Sequence, residues 1–293
     1  MSGDHPHPVI TGLYVPGDRP ERFDKAVGTG AHLVIIDLED AVAPDRKDLA
    51  RDAVCEWLAQ RPLPLDSVSS AASTIIQVRI RAGDERDLRA LAALDATFDI
   101  RVPKVESPAD IDAVVEAVPG HPITALVETA RGVENAGSVA AHSAVTRMAL
   151  GESDLASDVG SSAASVMDYA RTRVLFASRA AGLVAPMLSA YPNIRDVDGL
   201  RADTVRGREL GWVGRNAIHP TQLAVIADVF RPPAARVSWA LEVLSAVGAG
   251  GVTTLSNGDM VDDAMVGRAR TILSLADALN EEARHEDARR EET

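Results

Sequence analysis

Short apolar runs alternate with Ala-rich stretches along most of the chain, and this alternation constrains the fold more than any single motif. The runs lie at 10–15, 33–38, 74–80, 100–103, 123–127, 148–150, 186–190 and 215–218. Most are apolar at successive positions, the pattern of parallel strands covered on both faces. Parallel strands need crossover connections, and the intervening stretches carry helix signals. Asp18 with Pro20 predicts a helix start, and Gly28 or Gly30 its end; Ser107-Pro108 opens another. Residues 46–60 and 169–181 read as two more. Eight strands alternating with helices predict an α/β fold, a (β/α)8 TIM barrel over residues 10–231. An open doubly wound sheet is the competing architecture, but no G-x-G-x-x-G follows the first run. Residues 1–9 read as a disordered tail. Residues 232–293 exceed what a barrel needs and predict a C-terminal helical extension contacting a neighbouring subunit.

Charge narrows the partners. With 43 acidic against 30 basic residues the net charge is −13, which argues against nucleic acid and against a polybasic membrane anchor. No apolar run approaches the ~20 residues of a membrane span. Cys55 is the only cysteine, so an internal disulfide and a Cys-based zinc site are excluded. With no secretory pattern at the first residues, a reducing cytoplasm is the expected compartment. Only Lys25, Lys47 and Lys104 are available to a reaction that needs a lysine.

In a barrel of this kind the site forms where strands end. The first run is followed by Asp18, Arg19 and Arg22. The second is followed by Asp37, Glu39, Asp40, Lys47 and Arg51. Later runs end at Arg79 and Arg81, Lys104 and Glu106, Glu128 and Arg131, Glu152 with Ser153 and Asp154, and His219. Glu128 and Asp154 end adjacent strands, so both can reach one Mg²⁺, or each can pair with an arginine. Arg79 suits a carboxylate, that of a substrate or of Glu39 or Asp40. Lys104 is either a Schiff-base lysine or an ion-pair partner. His219, before Pro220, reads as a cap or a general base.

Several segments together resemble the HpcH/HpaI aldolase and citrate lyase beta-subunit family: LYVPGDRPERFDKA, VIIDLEDAVAPDRKDLAR, VPKVES, ALVETARG, GESDLASDVG, NAIHPTQL and GDMVDDAMV, in the family's order over about residues 10–275. The resemblance implies a Mg²⁺-dependent carbon–carbon lyase, with Mn²⁺ as a substitute. Its substrate would be a 3-hydroxyacyl-CoA thioester such as citramalyl-CoA or malyl-CoA, giving acetyl-CoA and a 2-keto acid. It implies Glu128 and Asp154 as metal ligands, Arg79 as the acid-binding arginine, and Glu39 and Asp40 near metal-bound waters. Asp262 matches an acid/base delivered from a neighbouring subunit, which implies a homotrimer or a dimer of trimers. Arg19, Arg22, Lys47 and Arg51 are the candidates for the CoA phosphates. The resemblance also admits an accessory subunit acting on citryl-acyl carrier protein, or a CoA binder without turnover. Ser153, Arg81, Met187 and Ala264 depart from the family pattern, Arg81 adding a cation near the mouth.

Overall fold

The computed structural model describes residues 8–61, 74–248, 255 and 260–291; residues 1–7 of the predicted tail 1–9 lie outside them. Seven parallel strands form one sheet: β1 Thr11–Pro16, β2 Leu33–Asp37, β3 Ile75–Arg79, β4 Asp99–Val102, β5 Ile123–Val127, β6 Val145–Leu150 and β7 Arg215–Ala217. Their order is β6-β5-β4-β3-β2-β1-β7. The helices are α1 Phe23–Val27, α2 Lys47–Ala59, α3 Glu85–Ala92, α4 Pro108–Ala117, α5 Ala130–Glu134, α6 Ala136–Ala140, α7 Glu152–Val159, α8 Ala164–Ala180, α9 Val197–Glu209, α10 Leu223–Phe230, α11 Ala234–Gly248 and α12 Asp263–Glu291.

The run at 186–190 was expected as a full strand and is not one. It makes two isolated parallel bridges, Met187 to Ala149 of β6 and Leu188 to Arg215 of β7. Pro186 brings no N–H, and Leu188 O accepts from both the backbone and the side-chain amide of Asn216, at 3.0 and 3.1 Å. The segment nevertheless joins the two edge strands, so the sheet curls back on itself.

Strand β2 shows why its first four residues are all apolar. Val34 and Ile36 join the large core under the helices, whereas Leu33 and Ile35 pack with Val9 and Met187 on the inner face. Burying each such side chain contributes about 1.5–3 kcal/mol. The inner face also holds a polar layer that the sequence reading did not foresee. Gln77 donates to Thr124 Oγ1 at 2.7 Å, Arg101 Nε donates to Gln77 Oε1 at 3.0 Å, and Arg101 Nη1 donates to the Tyr14 hydroxyl at 2.8 Å.

Two local expectations shift. Asp18 does not cap α1; its carboxylate accepts from Arg46 Nε at 2.5 Å, and a 3-10 turn at Pro20–Arg22 leads into the helix instead. α8 begins five residues before the expected 169, at Ala164, with Ala163 as its N-cap. Beyond residue 231, α11 and α12 pack together around Ala240, Val243, Ala269 and Ile272, and Ala278 and Leu279 join the main core. Among the described residues, no helix is long and apolar enough to cross a membrane.

Gly214 carries the chain into β7 at φ 81°, and a Cβ there would overlap the Val9 carbonyl and sit 2.7 Å from that of Ile10. Gly214→Ala is expected to cost about 2–3 kcal/mol, read as a lowered urea midpoint at unchanged slope.

Candidate active site

Strand register brings the chemistry to one mouth. Asp37 stands beside Arg79 in the β2–β3 pairing. In the β5–β6 pairing, Val127 stands beside Leu150, so Glu128 follows opposite Gly151. A cavity of about 340 Å³ opens at these strand ends, with Tyr14, Asp40, Arg79, Glu128 and Asp154 in its wall.

Arg79 is 7 % exposed and is held chiefly by Asp37, a pairing the sequence reading missed. Its Nε and Nη2 donate to the two Asp37 oxygens at 2.7 and 2.5 Å. The same carboxylate accepts from the backbone N–H of Glu39 and Ala41 at 2.8 and 3.0 Å, so Asp37 organises the loop as well as the arginine. Arg79 Nη1 meets Asp40 at 3.0 Å and Glu39 at 3.2 Å. Asp40 is over half exposed, so this edge of the guanidinium is the one an incoming carboxylate can take. Its carbon lies 5.3 Å from the centre of the Tyr14 ring, which Arg101 approaches at 5.5 Å.

Glu128 is nearly enclosed. Its Oε1 accepts from the Lys104 N–H at 2.9 Å, which Lys104 presents from a left-handed conformation at φ 53°. A Cβ on residue 151 would overlap Oε2, so glycine there leaves room for the carboxylate. The Lys104 ammonium sits 3.3 Å from Glu39 and 3.7 Å from Asp154. Burial first, then the charges of Glu39 and Asp154, push Glu128 up to about 8 from 4.5. Burial likewise pushes Glu39 up, against the pull of Arg79 and Lys104. Among the described residues, Asp37, Glu39, Asp40, Glu128 and Asp154 face only the cations Arg79 and Lys104, so the mouth carries excess negative charge.

The other expected residues lie apart from this cluster. Arg19 and Arg22 are exposed, each 3.9 Å from a neighbouring carboxylate. Lys47 is engaged by the fold, donating to the carbonyls of Leu38 and Glu39. Arg51 pairs with Asp48 at 2.6 Å and reaches Asp87 at 3.6 Å. Asp262 accepts from the N–H of Met265 at 2.7 Å at the start of α12, and does not line the mouth cavity of its own chain. Arg81 is no added cation at the mouth, because Asp87 holds it at 2.9 and 2.5 Å. His219 accepts from the Thr221 N–H at 3.3 Å and caps the following turn. Glu152 is the exception, since it lines the mouth cavity, but its carboxylate is taken up by Arg171 and the Ser189 hydroxyl. Met187 is fully buried on the inner face.

A parallel α/β sheet whose strand ends gather carboxylates and one fork-bound arginine defines the class to which the comparisons point. Residues 10–220 match the family described as HpcH/HpaI aldolase/citrate lyase, and the chain belongs to that family. It is 34 % identical over 284 residues to a (3S)-malyl-CoA thioesterase of Cereibacter sphaeroides, covering 93 % of this chain and 96 % of that one. It is 35 % identical over 276 residues to a citrate lyase subunit beta-like protein of Mycobacterium tuberculosis, covering 90 % and 94 %. Its structure is similar to that of the protein CitE from Mycobacterium tuberculosis in complex with magnesium, acetoacetate and coenzyme A. That likeness has a TM-score of 0.74 and 34 % identity, and covers 92 % and 98 % of the two chains.

Proposed function

We propose that the protein is a Mg²⁺-dependent carbon–carbon lyase, reversible as a condensation, acting on a 3-hydroxyacyl-CoA thioester to give acetyl-CoA and a 2-keto acid. The observation that carries this reading is the convergence of Glu128, Asp154 and Arg79 on one cavity. No group of three or more His, Cys, Asp or Glu side chains forms a metal cage among the described residues. Mg²⁺ does not require one; it takes one or two carboxylates and keeps waters and substrate oxygens. Glu128 and Asp154 fit that demand, since Glu128 presents a buried, undercompensated carboxylate and Asp154 a partly open one. Mn²⁺ suits the same oxygens. When bound, the cation supplies Lewis-acid stabilisation to the oxygen whose charge changes as the bond breaks.

The chain's own residues do the rest. The Nη1 edge of Arg79 takes the substrate carboxylate, displacing the exposed Asp40, while Asp37 keeps the guanidinium fixed. Asp40, released in the cavity wall, accepts the hydroxyl proton as the carbon–carbon bond breaks. Glu39, behind it, holds Lys104 across the site. Asp262 of the partner subunit returns a proton to the carbon next to the thioester, which requires the C-terminal helices of one copy to cover the mouth of another in a homotrimer or dimer of trimers. Exposed Arg19 and Arg22 meet the CoA phosphates, while Lys47 and Arg51 hold the loop beneath them.

A second reading is hydrolysis of the thioester, favoured by the relative named as a malyl-CoA thioesterase. A panel of 3-hydroxyacyl-CoA thioesters, with keto acid trapped as its hydrazone and free thiol measured in parallel, separates the two. The lyase reading expects keto acid without thiol, lost on adding EDTA; thiol release without keto acid replaces it by hydrolysis. Mixing subunits carrying Glu128→Gln with subunits carrying Asp262→Asn is expected to restore part of the activity. A Cβ at 151 would push Glu128 aside and fall 2.8 Å from its Cβ, so Gly151→Ala is expected to weaken Mn²⁺ binding about 10–100-fold and to lower the urea midpoint as well.

A further inference from the structure

A second cavity, of about 430 Å³, lies at the opposite end of the sheet from the mouth, between the entrances of the strands and α12. Its inner end is formed by Arg147, near the start of β6, and its rim by Arg179 of α8 and Arg270 of α12. Arg147 is only 8 % exposed. Its Nη1 donates to the Ala185 carbonyl at 2.8 Å. No carboxylate among the described residues lies within ion-pair distance of it.

Among the described residues, three of the other buried arginines have a carboxylate, and the fourth, Arg101, has none but donates to Gln77 Oε1 and to the Tyr14 hydroxyl. Arg79 has Asp37, Arg171 has Glu152 and Asp203, and Arg215 has Asp203. The carboxylate with most influence on Arg147 is Asp99, which accepts from Gln77 at 3.4 Å and is itself pushed towards its neutral form by burial. Burial and the repulsion of Arg101 pull Arg147 down to about 10, which still leaves it protonated at neutral pH. A buried charge without a partner costs several kcal/mol, and a fold retains one where something pairs with it. The cavity is where that partner can enter, and its volume is that of a small-ligand pocket.

The walls say what kind of anion fits. Leu183, Val213 and Leu275 are apolar, and the Thr271 and Ser274 hydroxyls lie on the α12 side. A guanidinium fork matches a planar carboxylate. We propose that this base cavity binds a small aliphatic carboxylate, with Arg147 holding the carboxylate group, Arg179 and Arg270 drawing it in, and the apolar wall covering the chain. The end of a barrel away from the strand termini ordinarily serves stability, so a ligand there acts apart from the chemistry.

The test is calorimetric titration of butanoate and succinate into EDTA-treated full-length protein carrying Arg79→Met, which removes the acid-binding arginine of the mouth. Saturable binding is expected. It should be about tenfold weaker or worse when Arg179→Ala and Arg270→Ala are added, and absent when Arg147→Met is added. Thermal melts guard against misfolding: Arg147→Met alone is expected to keep or raise the Tm, and the carboxylates to raise the Tm of the Arg79→Met protein but not that of the Arg79→Met, Arg147→Met double variant. No saturable binding, binding unchanged by Arg147→Met, or a Tm lowered by that substitution overturns the proposal. Equal binding of inorganic phosphate overturns the assignment of a carboxylate.

Discussion

Glu128→Gln is expected to lower kcat for keto-acid release by about 10³-fold or more, because it removes an anionic ligand while keeping the shape. The same substitution is expected to stabilise the metal-free protein. Glu128 lies enclosed beside Glu39 and Asp154, and burial holds its carboxyl near 8. The sign follows from proton uptake. Between its ordinary 4.5 and about 8, the folded chain keeps a proton on Glu128 that the unfolded chain has lost, so stability falls as pH rises through that window. The metal-free protein should therefore melt lower at about pH 8 than at about pH 6, more so than Glu128→Gln. Added Mg²⁺ should raise the melting temperature more at the higher pH, where it does not compete with the proton. Melts of both proteins with EDTA and with Mg²⁺ read all three effects. A group that destabilises the fold in this way is one retained for function.

Asp37→Ala is expected to be the most damaging change to the fold among the mouth residues, costing about 3–5 kcal/mol in urea denaturation. It strips a buried guanidinium of two hydrogen bonds and leaves the N–H groups of Glu39 and Ala41 without their acceptor. Asp40 and Glu39 touch only the Nη1 edge and cannot replace the fork. Asp40→Ala is the control. Its side chain is over half exposed, so it should cost under about 1 kcal/mol in stability while slowing turnover.

The residues of the mouth were legible because apolar strands, buried on both faces, have to deliver their polar residues at their ends. That logic puts Arg79, Glu128 and Asp154 at one mouth, where all three line the same cavity. It did not choose Asp37 over Glu39 or Asp40 as the partner of Arg79, since that depends on which carboxylate stands beside the arginine across the β2–β3 pairing. Nor did it foresee that Lys104 would serve Glu128 through its backbone N–H, from a left-handed conformation that side-chain chemistry does not signal. The cations proposed for CoA were chosen by loop position alone, and Lys47 proved to be held by backbone carbonyls. The run at 186–190 carries the composition of a strand, yet Pro186 and the Asn216 side chain leave it with two bridges. Arg147 escaped notice because it lies at a strand's beginning, where a barrel reading expects no chemistry.

The proposed metal site rests on Glu128 and Asp154 holding one divalent cation together. Electron paramagnetic resonance of Mn²⁺ titrated into the wild-type protein, Glu128→Gln and Asp154→Asn measures it directly. One bound Mn²⁺ per chain is expected in the wild type, with a spectrum altered by adding a 2-keto acid and that site lost in each variant. Mn²⁺ bound with wild-type affinity by either variant would contradict it.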